Sequence, residues 1–241
     1  ELAVADPRRL ADRSRDIYRH PVATLAFFRV EPGMTVVDYG PLPGWYTRIL
    51  VPYLGTVGRY IGLNPDVRKA DEQQKRYFGG LENTLPARAA EWTGVPASRI
   101  GAYNSDNLPA ALYGTADRVV MFRMMHNLLR MGILDRELGV IHRLLKDDGL
   151  LGIEQHRSRP DAPASYADGS KGYLRQADVI RLVEAQGFAL VGTSEINANL
   201  ADKADYPQGV WELPPTLRTG RQELKAIGES DRMTLLFRKR T

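Results

Sequence analysis

Residues 36–50 read VVDYGPLPGWYTRIL, and this stretch decides the fold. Two valines lead into Asp38, a loop carries Gly40 and Gly44, and beyond it the apolar residues recur at helical spacing. A buried strand, a tight glycine turn and a helix in that order form a cradle for a nucleotide-like cofactor. Glycine serves there because it accepts positive φ and lets a ligand approach the backbone closely. Leu42 stands where a further small residue is expected, and the flanking Pro41 and Pro43 fix φ and remove backbone donors.

Outward from this loop, EPGMTVVDYG (31–40) predicts a turn and a strand over about 34–39. GWYTRILVPYLG (44–55) predicts a helix through Trp45, Ile49, Leu50 and Leu54, which Pro52 should kink or end. GRYIGLN (58–64) is a second strand ending at Asn64. Residues 66–92 read as polar and helical, interrupted by FGGLENTLP (78–86). SRIGAYNSDNLP (98–109) holds a third strand and ADRVVMFRMMHNLL (116–129) a fourth, over about 117–122. MGILDRELGVIHRLLKDDG (131–149) is the clearest amphipathic helix, closed by a turn at Asp147–Asp148–Gly149, and LLGIEQH (150–156) is a fifth strand. LRQADVIRLVEAQGF (174–188) is a helix that Gly187 should cap, and ALVGTSEI (189–196) and MTLLFRKR (233–240) read as two closing strands. Upstream, residues 7–29 read as one or two short helices broken at His20–Pro21.

Strands alternating with helices predict an α/β fold, a mostly parallel sheet with helices on both faces. The absence of a helix between the last two strands makes one of them antiparallel. Ligands of such sheets bind beyond the carboxyl ends of the strands, where strand order reverses. We divide the chain into an N-terminal helical segment, 1–30, and a main domain, 31–241. Within the latter, the long polar stretch 197–232 reads as a lid-like insertion.

The chain has 241 residues, 43% hydrophobic and 26% charged, which suits a globular domain with a full core. It has no cysteine, which excludes disulfides, thiolate zinc sites and a cysteine nucleophile. No apolar run is long enough to span a membrane. The net charge of +4 is mild, and the basic stretch DPRRLADRSRDIYRH (6–20) reads as a solvated helix face, which argues against nucleic acid as a partner. The chain starts at Glu1 and not at methionine, so a preceding segment, a secretory leader included, is expected to have been removed.

Four blocks together resemble the class I S-adenosylmethionine-dependent methyltransferases, from about residue 31 to the end. VVDYGPLPG is similar to their first motif, an acidic residue followed by G-x-G-x-G, and YIGLN to their second strand. NSDNLP is similar to the adenine-side loop, and HRLLKDDGLLGIEQ to the run that leads into the fifth strand. More narrowly, GWYTRILVPYLG, SEINAN, GVWELPP and GESDRMTL resemble a little-characterised bacterial branch, whose members often carry secretory leaders, so cytoplasmic and periplasmic placements both stay open.

The resemblance implies a Rossmann-like seven-stranded sheet, S-adenosylmethionine as cofactor and a small-molecule acceptor. It assigns Asp38, Gly40, Pro41 and Gly44 to the cofactor loop, Asn64 to the ribose, and Asn104, Ser105 and Asp106 to the adenine side, with Arg123 nearby. The sequence departs from the family at Leu42 and at Asn64 and Asn104, where amides stand in place of carboxylates and carry no charge to strengthen a hydrogen bond.

His126 follows the fourth strand and could act as a general base, and Glu154 and His156 share one side of the fifth. Each also has a structural reading, as helix cap or core polar group. Their spacing matches no metal-ligand motif, so no metal is assigned. Tyr18 and His20 could cover the cofactor, Trp45, Tyr46 and Trp211 read as core or lid aromatics, and GESDR (228–232) reads as a solvated hairpin entry. Two other functions compete. One is a non-catalytic or repurposed member of the fold. The other is a nicotinamide oxidoreductase, disfavoured by Pro43, Trp45 and the lack of an aspartate ending the second strand. The oligomeric state stays open.

Overall fold

The computed structural model describes residues 1–240. Its strands are β1 (Thr35–Tyr39), β2 (Arg59–Asn64), β3 (Ile100–Asn104), β4 (Ala116–Phe122), β5 (Leu145–His156), β6 (Phe188–Ser194) and β7 (Arg232–Lys239). They form one sheet in the order β3-β2-β1-β4-β5-β7-β6. β1 to β5 pair in parallel, and β7 runs antiparallel between β5 and β6. This is the Rossmann-like methyltransferase fold.

The helices are α1 (Asp16–Arg19), α2 (Pro21–Phe27), α3 (Thr47–Leu54), α4 (Glu72–Phe78), α5 (Leu81–Thr93), α6 (Met125–Arg130), α7 (Leu134–Leu144) and α8 (Gln176–Ala185). Alternation along the central strands sorts the core into two layers. Val36 and Val120 pack with Ile49 and Leu50 of α3 and Leu85 of α5. Val37, Tyr39 and Met121 pack with Leu138 and Ile141 of α7 and Val179 of α8 on the other face. Burial of each large aliphatic side chain contributes about 2 kcal/mol, so both helical layers are held chiefly by their apolar stripes.

Local readings hold with small shifts. The break between α1 and α2 falls at His20, whose φ is 39°. α3 runs two residues past Pro52 before Gly55 ends it, and Gly79–Gly80 alone separate α4 from α5, with Pro86 carried inside α5. The turn expected at 147–149 is a bulge in β5: Ala116 pairs with Leu145 but Arg118 pairs with Leu150.

The segment between β6 and β7 has few regular hydrogen bonds yet packs its own core of Tyr206, Val210, Leu213 and Leu224 around Tyr173. Buried Asp202 ties it down, accepting from Tyr173 Oη at 2.9 Å and from Asp231 N at 2.8 Å. Among the described residues, no helix is long and apolar enough to cross a membrane.

Candidate ligand-binding cleft

Strand order reverses between β1 and β4, and a cleft of about 320 Å³ opens beyond their carboxyl ends, as the topology demands. Asp38, Gly40 and Pro41 form one wall, and Asn64 and Phe78 stand to one side. Arg123, His126 and His156 stand to the other, and Trp211 and Pro214 of the β6–β7 segment close over it.

Asp38 is the penultimate residue of β1 and is 1% exposed. Its Oδ2 accepts from Tyr60 Oη at 2.9 Å and from Thr47 Oγ1 at 3.4 Å, so β2 and the first residue of α3 aim it. Burial pushes its pKa up to about 6, against the pull of those two hydroxyls and of Arg123. The following turn needs its glycines, with φ of +74° at Gly40 and +93° at Gly44. The space a side chain would take is already filled: a Cβ at Gly40 would lie 2.4 Å from Met124 Cγ, and one at Gly44 2.2 Å from the Trp92 ring. Gly44, expected at the cofactor, is therefore packed under α5 and is not part of the cleft wall. Leu42 packs partly against the α3–α5 core while still reaching the cleft, which accounts for a leucine there.

The two amides have one structural cause. Asn64 and Asn104 face each other in register across β2 and β3. Both donate to the same acceptor, the Phe78 carbonyl, at 2.8 and 2.9 Å. Asn104 also donates to Pro65 O at 2.8 Å and accepts from Leu81 N at 3.3 Å. A carboxylate at either position would set oxygen against oxygen at the α4–α5 corner.

Asn64 stays on the cleft wall with its Oδ1 uncommitted, whereas Asn104 is consumed by the corner. Ser105 donates to Glu137 at 2.9 Å, and Asp106 lies 3.6 Å from the Arg68 guanidinium. The adenine-side trio Asn104, Ser105 and Asp106 is thus not at the cleft wall: Asn104 is bonded into the α4–α5 corner, Ser105 to Glu137, and Asp106 stands beside Arg68.

On the opposite side lies a buried ionic network. Arg123 has a left-handed backbone, φ 57°, fixed by its N–H on Glu154 O at 2.7 Å and by Nη1 on Glu154 Oε1, also at 2.7 Å. A non-glycine residue held in that region marks strain that the surroundings impose. Glu154 is fully buried and takes Tyr46 Oη on its other oxygen at 3.3 Å. Burial would raise its pKa, but Arg232 and Arg123 hold it below the usual carboxylate range. Expected as a catalytic group, Glu154 is placed off the cleft wall as an ion-pair anchor for Arg123 and Arg232, whose charges favour its ionised form.

Glu229 accepts from Arg19 Nε at 3.0 Å, Arg15 Nε at 2.6 Å and Arg232 Nη1 at 2.9 Å. Burial alone would raise its pKa; Arg19, Arg232 and Arg15 bring it down to about 2. The Arg19 guanidinium stacks on Trp45, 4.7 Å from the ring centroid.

His126 and His156 come together with ring centroids 5.8 Å apart. His126 Nδ1 lies 3.3 Å from Gln155 Nε2, and burial brings its pKa down to about 4. His156 Nδ1 lies 2.6 Å from Ser230 Oγ, and burial, followed by His126 and Arg123, holds its pKa well below the ordinary value. Both rings are neutral at pH 7. Among the described residues, no group of three or more His, Cys, Asp or Glu is placed to hold a metal.

Sequence reasoning missed Arg15, Arg19 and Glu229 as cleft residues. Arg15 and Arg19 stand four apart, one helical face, inside a basic stretch that reads as solvated, and Glu229 lies in GESDR, which reads as a surface turn. Tyr18 and His20 take structural places: Tyr18 packs on Gly228, and His20 Nδ1 lies 3.4 Å from Asn197 Oδ1.

No family model matches the sequence, and no curated protein matches it. Solved structures do share its fold. A S-adenosylmethionine-dependent methyltransferase from Aquifex aeolicus is similar at 21% identity, over 80% of this chain and 88% of its own, with a TM-score of 0.53. The Burkholderia thailandensis 1,6-didemethyltoxoflavin-N1-methyltransferase, solved with 1,6-didemethyltoxoflavin and S-adenosylhomocysteine, is 15% identical over 97% of this chain and 82% of its own, with a TM-score of 0.52. SpnF, a 4+2 cyclase, is 14% identical over 92% of this chain and 80% of its own, with a TM-score of 0.60. At these identities the likeness concerns the fold, and the fold by itself does not name a reaction.

Proposed function

We propose that the chain is a S-adenosylmethionine-dependent methyltransferase that acts on a small-molecule acceptor. One observation carries this reading: a buried carboxylate, Asp38, at the end of β1, on a positive-φ glycine turn, lining the cleft where strand order reverses. The residues fit the cofactor. Asp38 offers a carboxylate to an ammonium group, Asn64 offers its free Oδ1 to a hydroxyl, and the turn at Gly40 brings backbone close to the cleft. Pro41 lines the same wall. The stretches GWYTRILVPYLG, SEINAN, GVWELPP and GESDRMTL support a place in the little-characterised bacterial branch named above.

When bound, S-adenosylmethionine supplies a methyl group activated on a sulfonium. The protein's share is then alignment and exclusion of water, with removal of a proton where the acceptor carries one. Trp211 and Pro214 shield the cleft, and we assign segment 197–232 the role of a lid on that basis. His156, held at the wall by Ser230, stays neutral because burial and the neighbouring charges oppose its protonation, so its part is to orient the acceptor by a hydrogen bond. His126 packs beside it, and Glu154 acts only by fixing Arg123.

Isothermal titration with S-adenosylmethionine and S-adenosylhomocysteine tests the reading. Micromolar affinity that Asp38→Ala abolishes is expected. No heat and no thermal shift at millimolar ligand would overturn it and leave a repurposed scaffold.

A further inference from the structure

We propose that the cleft holds a preformed oxyanion subsite, built from Arg15, Arg19 and Arg123, for the carboxylate or phosphate of an anionic acceptor. The inference rests on the cleft being an acceptor site, and it deepens that reading to a substrate class.

Geometry comes first. All three arginines line the cleft. Each is held by one edge to a buried carboxylate: Arg15 Nε and Arg19 Nε to Glu229, at 2.6 and 3.0 Å, and Arg123 Nη1 to Glu154 at 2.7 Å. The remaining guanidinium nitrogens of Arg15, Arg19 and Arg123 donate to no acceptor among the described residues. Three forks are thus fixed at one end and open at the other. Guanidinium forks match carboxylate and phosphate oxygens in pairs, and fixing them beforehand lowers the entropy lost on binding. Their supports are rigid. Arg19 stacks on Trp45, and the left-handed backbone of Arg123 is locked onto Glu154.

Charge points the same way. Four arginines, Arg15, Arg19, Arg123 and Arg232, are ion-paired to two carboxylates, Glu154 and Glu229, and with Asp38 ionised on the same cleft wall one positive charge is still left over. His126 and His156 add none, being neutral. The surplus is felt within the cluster: burial and then the Arg123 charge bring the Arg19 pKa down to about 9. A cleft that already carries unneutralised guanidinium groups is a poor place for a sulfonium cation unless an anion joins it. The cofactor's carboxylate is offset by its own ammonium and its sulfonium adds one positive charge, so an anionic acceptor is what neutralises the surplus.

The place suits the acceptor. The cluster sits on the β4–β5–β7 side of the cleft, across from Asn64 at the end of β2, and beside His156 and Ser230.

The test is titration calorimetry and thermal shift with inorganic phosphate and with malonate, at constant ionic strength, with and without saturating S-adenosylhomocysteine. The expected result is saturable millimolar binding of either probe that persists with S-adenosylhomocysteine bound. Arg15→Gln should weaken it at least tenfold and leave S-adenosylhomocysteine affinity within twofold, while Arg68→Gln, an exposed arginine elsewhere, should change nothing. Arg19→Lys keeps the charge on Glu229 but removes the fork, and should weaken the probes similarly if Arg15→Gln folds poorly. Mutual exclusion of probe and S-adenosylhomocysteine would overturn the proposal by assigning the arginines to the cofactor's carboxylate. Absence of saturable binding, or binding equal in the variants, would also overturn it. Phosphate binding without any S-adenosylhomocysteine binding would sustain the anion subsite while removing the methyltransferase reading.

Discussion

Asp38 carries opposite consequences for stability and for binding. Its pKa rises from 3.8 in the unfolded chain to about 6 in the fold, so the native state keeps a proton that the unfolded state gives up between those values. Ionisation is a cost to the fold that is absent below pH 3.8 and complete above about pH 6, on the order of 3 kcal/mol. Asp38→Asn keeps an acceptor for Tyr60 and Thr47 and removes the charge. It should therefore stabilise the protein by about 1–3 kcal/mol at pH 8 and by almost nothing at pH 3.5 in urea titrations. The same substitution should abolish cofactor binding. Wild-type affinity for S-adenosylhomocysteine should climb from pH 5 and level off above about pH 6, as the carboxylate that pairs with the ammonium ionises. A flat profile would remove Asp38 from that role. At Asn64 and Asn104, a change to Asp takes a donor from the Phe78 carbonyl and should cost about 1–3 kcal/mol each, with clear non-additivity in the double variant because they share one acceptor.

At the scale of the element, the β1–loop–α3 unit is fitted from both ends. Gly44 has a φ of +93° and its missing Cβ leaves room for the Trp92 ring of α5. Gly44→Ala should cost more than about 2 kcal/mol, strain and overpacking together, and this should appear in the denaturation midpoint. An unchanged midpoint would show that α5 is free to move away from the loop. The α4–α5 corner explains why the loop's neighbours differ from the family pattern. Once Phe78 presents its carbonyl to the ends of β2 and β3, amides are the side chains that satisfy it.

Across the whole molecule, the N-terminal segment at α1 is bound to the turn that enters β7 through Glu229, which Arg15, Arg19 and Arg232 surround. Glu229→Gln leaves two buried cations, Arg19 and Arg232, and the part-exposed Arg15 short of a partner and should destabilise by about 3–5 kcal/mol. The pH signs follow from the shifts. Glu229 titrates near 4.5 unfolded and about 2 folded, so its stabilisation is full above pH 4.5 and disappears as pH falls through about 2. His126 drops from 6.5 to about 4, so stability falls as pH goes from 6.5 to 4, where the unfolded chain takes a proton that the native state refuses. Between pH 6.5 and 4 the His126 loss runs against the Asp38 gain, so melting temperature against pH should decline in two clear stages in the Asp38→Asn background. His126→Gln should remove the upper stage, and Glu229→Gln the lower one.

What the sequence determined by itself is the sheet and the identity of the loop. Period-two and period-three-to-four patterning is local, and it located all seven strands and placed Asp38 near the carboxyl end of β1. Long-range pairing, by contrast, was left to the tertiary structure. Arg15 and Arg19 read as a solvated face because their partner, Glu229, lies more than two hundred residues away. Asn64 and Asn104 read as weakened cofactor ligands because nothing local reveals the Phe78 carbonyl between them, and Glu154 reads as a free carboxylate because Arg123 and Arg232 reach it only in the fold. Hydrophobic periodicity is carried by neighbours in the chain. The charge state and availability of a polar group depend on which distant donors and acceptors the fold brings to it.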